Sequence, residues 1–454
     1  MKIIIVGAGE VGFHIAGRLS IENKDVVVID KNPEAIRRVF DTLDVQTIVG
    51  SGSSPVVLRD AGIKDAEILL AVTDSDETNL IACLMADIIS PTTKKLARIR
   101  SADFDEYHAN FHEHAPHIET LINPEVEVVK TIQRLMAVPG AVDVEEFADG
   151  RVKLIGVRLD AGTPMTGVPL SKLPQETKRQ APLIAAVLRG EALIIPGGND
   201  ILQPDDVVYF ICESERLPAA LALFNKQAEP VKHVLIIGGG RLGLRVARDL
   251  EEKSIHTKIL EKNPERCRQL AEKLDKAVIL QGDGSDQSLL NEEGIREMDV
   301  VITLTDDEKT NIMTSLLAKR MGARKTITRV TSFSFFQIMS TIGIEQVVSP
   351  RLSAINTILQ YIRRGKILSA VSIRGEQAEV IEAVAMETSD IVGKPLKKIS
   401  LPKGVLVTVI VRNGEVIIPS GKSIINAGDR IVIFAGRKAI SKIEKILAVK
   451  LEYF

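Results

Sequence analysis

Tryptophan is absent from this chain, and aromatic residues make up only 4% of it. That scarcity argues against an aromatic stacking platform for single-stranded nucleic acid. The three cysteines, Cys83, Cys212 and Cys267, are widely spaced and form no Cys-x-x-Cys, so they read as reduced, mostly core residues. Neither sign of charge prevails: 58 Lys and Arg against 60 Asp and Glu leave a net charge of −2. Nothing global therefore draws the chain to nucleic acid or anionic lipid. Long hydrophobic runs are missing as well. Stretches such as 3–6 and 66–72 are strand length, far short of the ~20 residues that span a bilayer. Direct membrane insertion is not expected, and the opening MKIIIVGAGE enters a strand without room for a signal peptide.

What the chain does contain, it contains twice. Residues 4–12 read IIVGAGEVG and residues 235–243 read LIIGGGRLG. Each is followed, 23 positions after its first glycine, by an acid: Asp30 in one copy, Glu261 in the other. The next four residues are identical, Lys31-Asn32-Pro33-Glu34 and Lys262-Asn263-Pro264-Glu265. One Gly-x-Gly-x-x-Gly is a weak signal; two at a fixed offset, each with its acid, point to two dinucleotide-binding units.

The surrounding pattern agrees. Strands at 2–6, 25–30, 45–49, 67–72 and 95–100 alternate with helices near 10–22, 33–41, 54–61 and 76–89, the βαβ signature of a doubly wound parallel sheet. A helix over 125–137, apolar at Val126, Val129, Ile132 and Met136, suits a connector packing on something outside that sheet. From about 150 the chain changes to short strands punctuated by Gly167-Val168-Pro169-Leu170, Arg189-Gly190-Glu191 and Gln203-Pro204-Asp205-Asp206. The same turns return as Gly393-Lys394-Pro395-Leu396, Arg412-Asn413-Gly414-Glu415 and Ala427-Gly428-Asp429. The expected class is α/β: two Rossmann-like units, 1–139 and 230–364, each with a connector helix and each followed by a small α+β module, 140–226 and 365–454. A linker falls near 226–230.

Gly7 and Gly238 make the tight turn, Gly9 and Gly240 admit a pyrophosphate, and Gly12 and Gly243 let the helix press on the sheet. Ala8, Glu10 and Val11, with Gly239, Arg241 and Leu242, complete the two loops, whose free N–H groups and helix dipole favour anions. Asp30 and Glu261 are placed for ribose hydroxyls and would repel a 2′-phosphate, which favours NAD(H) or adenine nucleotides over NADP. Further rim residues are Gly50, Ser51, Thr73, Asp74, Arg98 and Arg100 in the first copy, and Gly282, Asp283, Thr305, Asp306 and Arg329 in the second. A glycine turn that binds nothing is the plain alternative. The copies differ after the second glycine: Glu10 would oppose phosphate charge, whereas Arg241 would pair with it. The second site is therefore expected to prefer ATP or ADP and the first NAD(H) or a less charged nucleotide, against the reading of two solvated helix residues.

Other clusters carry less. His108, His112, His114 and His117 read as a polar surface segment, with a metal site as the alternative. Asp74, Asp76 and Glu77 stand at a helix start, where capping and dipole compensation are expected. An NAD-dependent oxidoreductase with duplicated Rossmann domains remains the competing class. It needs an acid/base beside the cofactor, and there is no histidine between 118 and 232. No catalytic residue is nominated, and the nucleotide reads as effector, not reactant.

GAGEVG with Asp30, the rim element VTDSDETN at 72–79, the connector and the small module with its Gly-Val-Pro-Leu turn together resemble the RCK (KTN) family, regulators of potassium conductance. The tandem order and the GDGSDQSLL and LAKRMGA stretches resemble its two-copy members over essentially the whole chain. The resemblance implies a homotetrameric, non-enzymatic gating ring, cytoplasmic and peripheral at the inner face of the cell membrane. The ring would dock on a Trk-type potassium channel membrane subunit and respond to ATP, ADP or NAD(H). It carries over to the glycines, Asp30, Glu261, Thr73, Thr305, Arg98 and Arg329. Arg241 matches a position from which relatives send an arginine to a neighbour's nucleotide; Glu10 departs from that pattern, and TDDEKTN replaces TDSDETN in the second copy.

Overall fold

The computed structural model describes residues 1–138, 140–173, 181–226, 230–362, 366–373 and 377–447. Pro139 and most of the expected linker, 227–229, lie outside them. The described chain forms two compact units, one of residues 1–127 with 350–363, the other of 128–349 with 364–454.

The first unit is built on a six-stranded parallel sheet. Its strands are β1 (Lys2–Val6), β2 (Asp25–Asp30), β3 (Gln46–Val49), β4 (Ile68–Ala71), β5 (Lys94–Arg98) and β6 (Ile118–Ile122). The spatial order is β3-β2-β1-β4-β5-β6. Ile3, Ile4 and Ile5 are fully buried, as expected for a central strand covered on both faces. Asn32 caps the helix Pro33–Thr42 by accepting the Glu34 N–H, and Pro33 at the first helical position costs no hydrogen bond. Strand β6 had no counterpart in the sequence reading; Ile118-Glu119-Thr120-Leu121-Ile122 alternates too weakly beside the histidine-rich segment to announce itself. The helix Pro350–Ile362, the connector of the second half, belongs to this unit and packs on the helix Glu10–Ile21 and on β6.

The second unit holds the other three sheets. Strands β7 (Ala141–Phe147), β8 (Val152–Arg158), β9 (Leu183–Arg189), β10 (Ala192–Ile194) and β11 (Val207–Glu213) form an antiparallel sheet ordered β10-β9-β11-β8-β7. The second parallel sheet follows with β12 (His233–Ile237), β13 (His256–Glu261), β14 (Val278–Gln281), β15 (Val300–Thr303), β16 (Thr326–Arg329) and β17 (Gln346–Val348), ordered β14-β13-β12-β15-β16-β17. Last come β18 (Ile367–Ile373), β19 (Ala378–Val384), β20 (Val405–Arg412), β21 (Glu415–Ile417) and β22 (Arg430–Gly436), ordered β18-β19-β22-β20-β21. Each topology is thus used twice. The edge strands β7, β17 and β18 are additions to the sequence reading.

The connector helix Pro124–Ala137 buries Val128, Ile132, Leu135 and Met136 in one cluster with Val234, Leu242, Val246 and Leu250 of the second Rossmann domain. The expected stripe holds at Ile132, Met136 and Val129, the last partly buried against the same cluster, whereas Val126 is only partly covered and lies outside it. The two small modules also share a core, in which Phe147 and Tyr209 of one join Val380 and Phe434 of the other. Its rim is polar: Ala148 N–H donates to Glu382 at 2.9 Å, and Arg430 donates to Asp149 at 2.7 and 3.1 Å.

Candidate nucleotide sites

Both parallel sheets reverse strand order between their first and fourth strands, so a crevice opens at the carboxyl edge there. The glycine loops sit at that edge. Gly7 and Gly238 have φ of +111° and +102°, the left-handed region that favours glycine. A Cβ on Gly12 would lie 1.8 Å from the Gly7 carbonyl oxygen, and on Gly243 2.1 Å from that of Gly238. At Gly9 and Gly240 a Cβ would meet nothing within 4 Å. The first pair shapes the turn, the second seals helix on strand, and the third faces open space. Val11 and Leu242 are buried, so any part they play at the crevice is through backbone.

The acids at the ends of β2 and β13 reach back onto these loops. Asp30 accepts the Ala8 N–H at 2.6 Å and the Asn32 N–H at 2.8 Å. Glu261 does the same for Gly239 and Asn263, both at 2.8 Å. Each carboxylate thereby ties the glycine loop to the next helix start. The other rim residues are less alike. Ser51 shares a 2.8 Å hydrogen bond with Ser53 beyond Gly50. Beyond Gly282, Asp283 accepts from Ser285 at 2.7 Å and pairs with Lys262 at 3.1 Å; the Ser285 N–H and hydroxyl lead in holding its carboxyl down at about 2.

At the exit of the fourth strands a buried asparagine organises the rim. Asn79 accepts from the Thr73 N–H at 2.9 Å and hydroxyl at 2.7 Å, and donates to the Arg98 carbonyl at 2.8 Å. Asn311 repeats this with Thr305 at 2.9 and 2.7 Å and with the Arg329 carbonyl at 3.2 Å. These asparagines were not singled out as site residues, although the doubled Thr-Asn pair carried the signal. Asp76 is a correction of a different kind. The helix cap is Ser75, which accepts the Thr78 N–H at 3.1 Å. Asp76 instead fastens the exit of β5, accepting the N–H groups of Arg100 at 2.9 Å and Ser101 at 2.8 Å.

The arginines separate the two halves most clearly. Burial and then the neighbouring Arg100 push Arg98 down to about 10, and its buried Nε has no hydrogen-bond partner among the described residues. Arg100 donates to the Asp74 carbonyl and lies 3.7 Å from Asp76. Arg329, the counterpart of Arg98, is instead neutralised by Asp306 at 2.9 Å and donates to the Thr305 carbonyl at 3.1 Å. Glu10 has charged partners of its own. It pairs with Arg38 at 2.7 Å and with Arg351 at 3.6 Å. Burial would raise its pKa, but these arginines hold the carboxyl below its ordinary value. Arg38 also covers the Phe13 ring at 4.0 Å. Arg241 begins its helix with its side chain exposed. The Glu10 charge at the first loop is thus compensated by residues 28 and 341 positions away.

The histidine segment is dispersed: His117 bonds Asp87 at 2.9 Å and His112 lies 3.2 Å from the Ile118 carbonyl. The side chain of His108 lies outside the described residues, and no metal-holding group occurs among the described ones.

Family models described as the TrkA-N domain match residues 3–118 and 234–350, and those described as the TrkA-C domain match 154–225 and 380–448. The chain belongs to the TrkA family. The Trk system potassium uptake protein TrkA of Azorhizobium caulinodans is 38% identical over 459 residues, covering 100% of both chains. That of Halomonas elongata is 37% identical over 458 residues, again covering 100% of each. Among solved structures, one described as the GsuK channel bound to NAD aligns with a TM-score of 0.59 at 17% identity, over 98% of this chain and 78% of that one. That likeness is one of fold. Membership places the chain among the proteins of Trk potassium uptake systems, its two parallel sheets in TrkA-N domains and its two antiparallel sheets in TrkA-C domains. No helix among the described residues is long and apolar enough to cross a membrane.

Proposed function

We propose that this chain is a nucleotide-sensing regulatory subunit, in which NAD(H) and ATP or ADP act as effectors on a Trk-type potassium channel membrane subunit. The observation that carries the reading is the doubled carboxylate-to-loop contact, Asp30 to Ala8 and Glu261 to Gly239, in a chain of a potassium-uptake family. A carboxylate beside a glycine loop and a helix start, found twice, is the arrangement that a ribose and a phosphate chain would need, and it supports the reading. The nucleotide residues are those of the two rims, from Gly7 through Arg100 and from Gly238 through Arg329. A neighbour of the same fold is described as bound to NAD, which supports a dinucleotide in one crevice. The assembly in this reading is a homotetrameric ring, cytoplasmic and docked on the inner face of the membrane.

Gating follows from differential affinity: a nucleotide shifts the ring only if it binds one ring shape better than another. The test is potassium flux through the membrane subunit in proteoliposomes, with this chain added and ATP, ADP or NADH titrated. Nucleotide-dependent flux without turnover of NADH or ATP is the expected result. Flux indifferent to nucleotide would overturn the regulatory reading, and NADH oxidation on addition of metabolites would favour the oxidoreductase.

A further inference from the structure

Glu10 stands at the first helical position after the phosphate loop, directly beside Gly9, where a Cβ would find open space. Two arginines from different elements converge on it. Arg38 comes from the helix after β2, at 2.7 Å, and Arg351 from the connector helix of the second half, at 3.6 Å. Arg98 lies close enough to feel the charge of Arg351 and those of Asp76 and Asp74, and its buried Nε has no hydrogen-bond partner among the described residues. Two guanidinium groups thus meet the Glu10 carboxylate, with a third near Arg351. The internal repeat carries the same two sequence positions with the charges exchanged: Arg241 stands where Glu10 does, and Pro124-Glu125 where Pro350-Arg351 does. Both signs are exchanged together, which two unrelated solvated residues have no reason to show.

We infer that Glu10 is a built-in competitor for the phosphate chain of a nucleotide, and that Arg351 is the arginine over which the two compete. Phosphate oxygens arriving over Gly9 repel the Glu10 carboxylate and offer Arg351 a stronger, bidentate partner. When Arg351 changes partner, the end of the connector helix Pro350–Ile362 moves from the loop residue to the ligand. The first crevice then reports the number of phosphates it holds to a helix that belongs to the second half. A monophosphate, with little charge at that point, leaves the Glu10–Arg351 pair in place; a triphosphate breaks it. This rests on the first crevice being a nucleotide site, and it adds which residue distinguishes nucleotides there.

The experiment uses the full chain with Gly240→Leu throughout, to block the second loop at a position where a Cβ meets no protein atom within 4 Å. ATP and AMP affinities are measured by calorimetry, and amide exchange is followed across residues 350–362. Glu10→Gln is expected to raise the ATP-to-AMP affinity ratio about tenfold by removing one like-charge contact. Arg351→Gln should lower that ratio, and Arg351→Lys should restore part of it. ATP, but not AMP, should alter exchange in the connector helix, and Arg351→Gln should abolish that difference. If Gly9→Leu removes all binding while Glu10→Gln and Arg351→Gln leave the ratio unchanged, the nucleotide reading stands and this inference fails. If neither nucleotide binds, or binding ignores Gly9→Leu, both fail.

Discussion

Asn79 and Thr73 hold the exit of β4 together, the asparagine oxygen accepting both the threonine N–H at 2.9 Å and its hydroxyl at 2.7 Å. The Asn79 amide is also spent, on the carbonyls of Thr73 and Arg98. Because Asn79 is fully buried, Asn79→Ala strands several polar groups without water. A loss of about 2–4 kcal/mol is expected, read as a lower denaturation midpoint in urea. Asn311→Ala should behave alike in the second half, and a loss below about 0.5 kcal/mol in either would show the network to be dispensable.

The glycines of each loop are expected to separate folding from binding. Gly12→Ala and Gly243→Ala force a Cβ to within 1.8 and 2.1 Å of a carbonyl oxygen, so the loops must shift and thermal stability should fall. Gly9→Ala and Gly240→Ala meet no protein atom within 4 Å. They should leave the melting temperature unchanged and weaken nucleotide binding alone. Calorimetric titration beside thermal melts checks both, and equal melting shifts at all four positions would contradict this division.

Asp30→Asn removes the charge that faces a ribose while keeping an acceptor for the Ala8 N–H. NADH affinity should fall by about 1–2 kcal/mol, while NADPH, no longer repelled, should gain relative to NADH. Fluorescence titration with both dinucleotides reads the ratio directly. An unchanged ratio would mean that Asp30 serves the loop and not the ligand.

Lys95 and Asp87 form a buried pair, with the ammonium 2.5 Å from the carboxylate and side-chain exposures of 2% and 10%. Burial alone would raise the Asp87 pKa, but hydrogen bonds from Lys95 and His117 bring it below its ordinary value. A depressed carboxyl contributes stability above its unfolded pKa, near 4, and loses it as pH falls through the folded value. Acid melts should therefore steepen below about pH 4, and Asp87→Asn should flatten that dependence. At neutral pH, Asp87→Ala leaves a buried ammonium without its carboxylate and should cost about 3–5 kcal/mol. A smaller loss in the double variant Asp87→Leu/Lys95→Met would confirm that the stranded charge is the cause.

Arg98→Gln is expected to cost affinity without costing stability. Burial and Arg100 hold it down to about 10, and its Nε has no hydrogen-bond partner among the described residues. Removing it relieves a buried cation that Asp76 and Asp74 compensate only in part, while taking away a candidate phosphate ligand. Melts should be level or higher and ATP binding weaker. Arg329→Gln, which breaks a 2.9 Å pair with Asp306, should show a smaller binding effect than Arg98→Gln.

The residue order by itself determined the repeated architecture, the glycine loops with their acids, and the strand ends that form each rim. These depend on backbone requirements local to the chain: a positive φ at Gly7, a close approach at Gly12, an acceptor one strand later at Asp30. A spacing of 23 residues records such requirements legibly. Strands β6, β7 and β17 were not legible, because an edge strand needs little alternation once its neighbour supplies the hydrogen bonds. Tertiary structure alone decided which connector helix serves which unit, and with it the electrostatic character of each crevice. The charge of Glu10 is legible in the sequence, but its partners Arg38 and Arg351 are not, the second coming from 341 residues away. Charge at a site is a sum over everything within a few ångströms. Distance along the chain does not enter that sum, so only the docking of helices could set it.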